Sequence, residues 1–176
     1  MATLKAKLVT ASVAAALAAA SLTPAFDLVD RFEGNKSEVY RDPLGIKTIC
    51  RGTTHGPLIA KGKATAAECD AATLADIKTA AAIVDRCTAG VVLSNGERNA
   101  WTSFALNVGS GGKGVKDGFC KLKSGGTPSH IRLMLAGKPR EACKMLYQWT
   151  MPGTNVHNGL LNRRTAEYKV CVGDLS

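Results

Sequence analysis

The sequence predicts an α+β fold, mostly α, in which a small N-terminal lobe of turns and strands, a connecting helix and a helical C-terminal lobe follow one another. Residues 27–63 contain seven glycines and prolines, a density that favours short strands and turns. Two capping boxes follow, Thr65–Glu68 and Ser94–Glu97, and each is typical of a helix start. A chain of 176 residues is sized for one domain, or for two small lobes that share a core.

The composition excludes several classes of protein. With 45% apolar and 21% charged residues, the chain is not disordered throughout. Aromatic residues make up only 5%, which leaves few platforms for base stacking, so we expect no nucleic-acid partner. The net charge of +9 predicts an anionic partner. We expect the chain to be a monomer. Six cysteines without a CxxC pair are typical of three disulfides in an oxidising compartment.

The N-terminus predicts export. Two lysines precede residues 8–26, a run of 19 uncharged residues of which eight are alanine. This run is just long enough to cross a bilayer, but it is weakly apolar. One interpretation is a signal peptide cleaved after Ala20 or Ala25, and the other is a signal-anchor that is inserted uncleaved and later leaves the membrane. A soluble Ala-rich helix is the third. We divide the chain into residues 1–26, the signal-anchor or signal peptide, and residues 27–176, the globular body.

The helices follow in order. The first predicted helix keeps one apolar face, formed by Leu74, Ile77, Ala81 and Val84. The second is apolar on nearly all sides, which indicates a buried central helix; its apolar residues are Ala100, Trp101, Phe104, Ala105 and Val108. Residues 109–114 form a glycine-rich turn, and shorter helices are predicted over 128–136, 139–149 and 159–172. Two lobes joined by a helix predict a cleft between them, where ligands commonly bind.

Two carboxyl groups and a hydroxyl in the turn-rich segment are the candidate catalytic groups. Glu33 ends an apolar-patterned stretch, so we expect it at a helix C-terminus with an apolar backing that favours its protonated form, able to give a proton to a leaving group. Asp42 lies in a polar turn that favours its ionised form, and Thr48 offers a hydroxyl that can hold water. These groups meet the requirements of glycoside hydrolysis. The spacing Glu-x8-Asp-x5-Thr alone fits a solvated carboxylate pair equally well.

The segment from Glu33 to Gly52 resembles the active-site segment of phage-type (T4-like) lysozymes, the endolysin muramidases. It reads E-G-x5-Y-R-D-x2-G-x2-T-I-x2-G. The resemblance implies that Glu33 is the proton donor, Asp42 the second carboxylate and Thr48 the hydroxyl associated with the attacking water. Further similarity to the central and C-terminal helices of the family extends the match over roughly residues 27–172.

Function and location follow from this resemblance as expectations. The family hydrolyses the β-1,4 bond between N-acetylmuramic acid and N-acetylglucosamine in peptidoglycan, its precedent favours inversion, and it lyses the host cell. The N-terminus resembles the signal-anchor-release subgroup, whose members are exported tethered and inactive. We therefore expect residues 8–26 to tether the enzyme to the host inner membrane, with the enzyme facing the periplasm. We expect its later release into the periplasm. Leu106 and Asn107, at the helix end that faces the cleft, are the candidate substrate contacts. No cofactor and no metal are expected, since the three histidines lie far apart.

Two positions depart from the family pattern. Many members have glycine where this chain has Cys50, and histidine where it has Thr53. Cys50 has two interpretations, a structural disulfide or a cysteine that changes partners during activation. His55 can either replace the missing imidazole or lie exposed in a loop.

Disulfide connectivity cannot be read from the sequence, because six cysteines allow 15 pairings. The pairs that fit neighbouring elements are Cys50–Cys69, Cys87–Cys120 and Cys143–Cys171. Arg163 and Arg164 also have two interpretations, contacts to carboxylates of the peptide stems or a solvated basic face.

Two other functions stay open on the residues alone. The first is a cationic protein that disrupts membranes or binds the cell wall without cutting it, which the basic charge and the Ala-rich N-terminus suit. The second is a lytic transglycosylase, which needs a single acid and forms an anhydro-muramic product. The presence of Asp42 at the family spacing argues against the second.

Overall fold

The structure, a computed structural model, describes residues 21–42 and 45–173. Residues 1–20, which hold most of the predicted anchor, lie outside the described residues, as do 43–44 and 174–176. The elements are α1 (Thr23–Glu33), β1 (Lys36–Arg41), β2 (Lys47–Cys50), α2 (Gly56–Lys61), α3 (Ala66–Cys87), α4 (Asn95–Val108), α5 (Ser129–Leu135), α6 (Pro139–Lys144), a 3₁₀ turn (Met145–Gln148) and α7 (His157–Val172). The predicted α+β, mostly α class is confirmed.

The small lobe is built on one β-hairpin. Strands β1 and β2 pair antiparallel, with Tyr40 opposite Thr48. The helix α2 that follows was not predicted, because its Gly-Pro start looks like a turn. Pro57 is accommodated in the first turn, where its missing N–H is not needed, and Gly62 ends the helix in the left-handed conformation.

Helix α3 connects the two lobes, as predicted. Its capping box is present: the Glu68 N–H donates to the Thr65 hydroxyl at 3.2 Å, and the Thr65 N–H donates to the Glu68 carboxylate at 2.8 Å. The helix has 22 residues, which gives it a length of about 33 Å at the α-helical rise. Its predicted apolar face is buried, at Leu74, Ile77, Ala81 and Val84.

Helix α4 is the buried central helix. It begins at the predicted capping box between Ser94 and Glu97, and it packs against α1, α3 and α7. Trp101 and Phe104 on this helix are fully buried, and their rings meet edge to face with centroids 5.7 Å apart. The core of the helical lobe therefore forms around α4.

All six cysteines are paired, and the three pairs are those that fit neighbouring elements in the sequence. One bond joins β2 to α3, the second joins the end of α3 to the loop after α4, and the third joins α6 to α7. The pairs are Cys50–Cys69, Cys87–Cys120 and Cys143–Cys171.

The end of the predicted anchor packs into the body. Helix α1 crosses the predicted boundary at residue 26. Leu22, Ala25 and Phe26 are buried against α3. The Asn99 side chain on α4 accepts a hydrogen bond from the Ala25 N–H at 3.0 Å and donates one to the Ser21 carbonyl at 2.7 Å. None of the helices in the described part of the chain is long and apolar enough to cross a membrane.

His130 lies in the aromatic core of the helical lobe. Its ring is 1% exposed and stacks on Trp101 with centroids 5.1 Å apart. The Nε2–H donates to the Phe119 carbonyl at 2.8 Å, so Nε2 carries a proton. Burial lowers the pKa of His130 to about 4, and this hydrogen bond only partly opposes the shift.

This histidine makes the fold sensitive to acid. Below its ordinary pKa of 6.5 the unfolded chain binds a proton that the folded chain does not accept until about pH 4. We therefore expect His130 to remove about 3 kcal/mol from the free energy of unfolding as the pH falls across this window. Urea unfolding of His130→Phe should show a flatter pH dependence than the wild type. Equal slopes for His130→Phe and wild type would refute the assignment.

Candidate active site

Glu33 is the last residue of α1, as predicted, and Gly34 ends the helix with a φ of 65°. The Glu33 side chain is 28% exposed. Its Oε1 accepts a hydrogen bond from the Nη1 of Arg163 on α7. The expectation of an apolar backing is therefore corrected: the carboxyl faces a guanidinium that α7 brings against it from 130 residues away.

Asp42 lies in the hairpin turn between β1 and β2. Its Oδ1 accepts a hydrogen bond from the Ile46 N–H at 2.8 Å, and its own N–H donates to the Ile46 carbonyl at 3.0 Å. These two bonds fix the backbone and the carboxylate of Asp42 together, so the second carboxylate has a defined position at the rim of the small lobe.

Thr48 lies on β2 and is 4% exposed. Its hydroxyl is 3.4 Å from the Ile46 carbonyl and 3.5 Å from the Tyr40 carbonyl. Both distances exceed those of an ordinary O–H···O hydrogen bond, so the hydroxyl is only loosely held by the backbone. It can turn to bind a water molecule.

One cleft of about 400 Å³ brings the predicted site residues together. Its lining comes from α1, the hairpin and the turn after it, α3, and the last turn of α4. All five predicted site residues line this cleft: Glu33, Asp42, Thr48, Leu106 and Asn107.

The turn after Thr48 explains one departure from the family pattern. Cys50 has a φ of 58°, in the left-handed region that glycine adopts without strain and other residues rarely enter. A glycine at this position suits the turn for that reason. In this chain Cys50 is fully buried and bonded to Cys69 on α3. Of the two interpretations of Cys50, the structure therefore shows the first, a structural disulfide.

Arg51 is a structural residue of the site that sequence reasoning missed. It is 6% exposed and also lines the cleft. Its Nε donates to Asp30 on α1 at 2.6 Å, and its Nη1 donates to Asp70 on α3 at 2.9 Å. One guanidinium therefore joins the helix that carries Glu33 to the helix that connects the lobes.

Arg163 and Arg164 do not form a solvated basic face and are not among the residues that line the cleft. They are 4% and 1% exposed. Glu167 accepts from the Nε of Arg163 at 3.0 Å and from the Nη1 of Arg164 at 2.5 Å. The Nη2 of Arg164 donates to Asn107 at 2.5 Å. Sequence reasoning missed Glu167, although its spacing of three and four residues from the two arginines is the signal for helical ion pairs.

A second cavity, of about 300 Å³, lies on the other side of Asp76 and is mostly apolar. Burial raises the pKa of the Asp76 carboxyl, and a hydrogen bond from Thr53 opposes that shift. His55 is exposed and lines this second cavity instead of the cleft, as expected for a loop histidine. Among the described residues, no three His, Cys, Asp or Glu side chains are grouped closely enough to hold a metal ion.

Known proteins resemble the chain over most of its length. Residues 30–167 match the family described as Phage lysozyme. The SAR-endolysin of Pseudomonas phage phiKMV is 32% identical over 160 residues, which cover 89% of this chain and 91% of that protein. The SAR-endolysin of Bacteriophage PS119 is 33% identical over 144 residues, which cover 81% and 78%. The active form of the P1 phage endolysin Lyz shares the fold, with a TM-score of 0.74 at 21% identity over 94% of each chain.

Proposed function

Because the chain belongs to the phage lysozyme family, it is a lysozyme, a glycoside hydrolase that acts on peptidoglycan, and we propose that Glu33, Asp42 and Thr48 carry out its reaction. The observation that supports these roles is that all three side chains line a single cleft. The cleft is lined by residues of the β-hairpin and of the helices, so groups from both lobes are available to one bound sugar chain.

Glu33 is the proton donor in this proposal. Its Oε1 accepts the hydrogen bond from Arg163, whereas its Oε2 lies next to Gly52, a residue that lines the cleft. Oε2 is therefore the oxygen that gives its proton to the glycosidic oxygen. The carboxylate must reload a proton from solvent after each turnover, which its 28% exposure allows.

Asp42 and Thr48 direct the attacking water. Asp42 accepts a proton from the water as the bond to the sugar forms, and the Thr48 hydroxyl holds the water oxygen. Attack on the face opposite the leaving group inverts the anomeric carbon. Asn107 uses its oxygen to accept from Arg164, so its amide N–H groups are left to donate to the substrate.

Product analysis tests this reaction. Purified peptidoglycan digested with the enzyme should yield muropeptides that end in reducing N-acetylmuramic acid, each heavier by one water than an anhydro product. NMR during the digestion should show the α-anomer first, because inversion converts the β bond. Anhydro-muramic ends would instead identify a lytic transglycosylase, and an unchanged glycan would favour a wall-binding or membrane-disrupting protein.

The membrane tether is the second part of the proposal. We infer that residues 8–26 hold the exported enzyme, a monomer, on the periplasmic side of the host inner membrane. The enzyme is later released from the membrane without cleavage of this segment. The close relatives named SAR-endolysin support this, as does the uncharged run. Leu22, Ala25 and Phe26 are buried in a hydrophobic cluster of the body. The C-terminal end of the uncharged run is therefore packed in the folded enzyme.

Intact-mass measurement of the exported protein tests the tether. We expect Met1 at the N-terminus of both the membrane fraction and the released fraction. A start at residue 21 or 26 would show cleavage and refute the anchor. A variant with Ala14, Ala16 and Ala19 changed to leucine should stay in the membrane, because each substitution makes the run more apolar.

A further inference from the structure

We propose that Glu167 is a positioning residue that holds the proton donor and a substrate-binding amide in place at the same time. It acts on Glu33 through Arg163, and on Asn107 through Arg164. The inference rests on the proposed roles of Glu33 and Asn107, and it assigns a function to a buried carboxylate that the reaction itself does not use.

Both oxygens of Glu167 are committed to other buried groups. The residue is 0% exposed. Oε1 accepts from the Arg163 guanidinium at 3.0 Å and from the Ser103 hydroxyl at 2.8 Å, and Oε2 accepts from the Arg164 guanidinium at 2.5 Å. Burial lowers the pKa of Arg164, and the Glu167 charge opposes that shift. A buried carboxylate between two buried cations is held in one geometry.

Each guanidinium spans the distance from Glu167 to the cleft. Arg163 uses Nε on Glu167 and Nη1 on Glu33. Arg164 uses Nη1 on Glu167 and Nη2 on Asn107. The guanidinium is a rigid planar group, so a shift of the Glu167 carboxylate that binds one of its nitrogens reorients the others. These other nitrogens are the donors to Glu33 and Asn107. Glu167 therefore sets the direction of both cleft groups.

When Glu33 is ionised, the charges of the cluster balance, because the two cations Arg163 and Arg164 face the two carboxylates Glu167 and Glu33. Removing the Glu167 charge leaves an excess of positive charge beside Glu33. This excess favours the ionised carboxylate of Glu33 over the protonated form that acts as the donor. The other charged or titratable groups that line the cleft are Tyr40, Asp42, Arg51 and Asp76, and the substitution does not change them.

The test compares Glu167→Gln with the control Glu141→Gln on the exposed first turn of α6. For Glu167→Gln we expect kcat to fall about tenfold to a hundredfold, since small displacements of catalytic groups have effects of this size. The alkaline limb of the pH–kcat profile should move down by about one pH unit. KM should rise because Asn107 is less well held. The control should change none of these.

Two further variants separate charge from geometry. Glu167→Asp keeps the charge but withdraws the carboxylate, so kcat should fall while the alkaline limb stays in place. Adding Arg164→Gln to Glu167→Gln restores the charge balance, so the limb should return towards that of the wild type while KM stays high.

The outcomes are distinct. A folded Glu167→Gln enzyme with the wild-type kcat and pH profile would overturn the proposal, and a lower melting temperature alone would indicate a merely structural residue. If the Gln variant does not fold, wild-type kcat and KM in Glu167→Asp would overturn it instead. Activity that survives Glu33→Gln would refute the proposed function itself, which keeps the two failures apart.

Discussion

Replacing Glu33 with glutamine is expected to lower the rate of peptidoglycan hydrolysis by about a thousandfold, within the range of general acid catalysis. Glutamine has nearly the same shape as glutamate, and its oxygen can still accept the hydrogen bond from Arg163. It has no acidic proton to give to the glycosidic oxygen. The loss should therefore appear in kcat and not in KM. Turbidity loss of cell walls and the release of reducing ends both measure it.

The matched control is Glu38→Gln. Glu38 is on the same hairpin lobe, and its side chain is 73% exposed and paired with Lys63 at 3.6 Å on the surface. It should keep the wild-type rate. Circular dichroism should confirm that both variants are folded. If Glu33→Gln clears cell walls as fast as the wild type, Glu33 is not the acid, and the cationic membrane-disrupting alternative gains support.

Replacing Arg51 with methionine should produce the largest loss of stability. Asp70 is 3% exposed and would lose the guanidinium that now lies 2.9 Å away. Breaking a buried ion pair on one side costs about 3–5 kcal/mol. The link from α1 to α3 through Asp30 would be lost as well. Urea unfolding measures the difference in the free energy of unfolding.

Two variants check this explanation. Arg86→Met, on the exposed face of α3, should stay within about 0.5 kcal/mol of the wild type, as expected for a surface change. The double variant Arg51→Met with Asp70→Asn should recover part of the loss, because it removes the unpaired charge. A loss below about 1 kcal/mol in Arg51→Met would contradict the role assigned to the pair.

The parts of the fold that the sequence predicted depend on local patterns. The two capping boxes lie within four residues each, and both form in the structure. The apolar periodicity of α3 and α4 is likewise read over adjacent turns, which is why the connecting and central helices were predicted correctly. The candidate catalytic residues lie within one segment of 16 residues, Glu33 to Thr48, so a single motif contains them all.

The contacts that a single sequence does not reveal connect distant segments. Arg163 and Glu33 are 130 residues apart, and only the packing of α7 against α1 brings them together. Arg51 was missed for the same reason, since its partners are on two different helices. A run of adjacent basic residues looks like a solvated surface unless the acidic partners that bury it are known.

The disulfides also determine which movements stay open to the enzyme. Cys50–Cys69 lies on the hairpin side of α3, whereas Cys87–Cys120 and Cys143–Cys171 lie in the helical lobe. Cys50–Cys69 therefore ties the hairpin to one end of α3, and Cys87–Cys120 ties the other end of α3 to the loop after α4. No single disulfide runs directly from the hairpin next to Asp42 to α4, which carries Asn107, so weaker contacts set the width of the cleft between them. Bending along α3 would then admit a glycan strand and bring the water-directing residues to it. The acid and its arginine would move together as one unit.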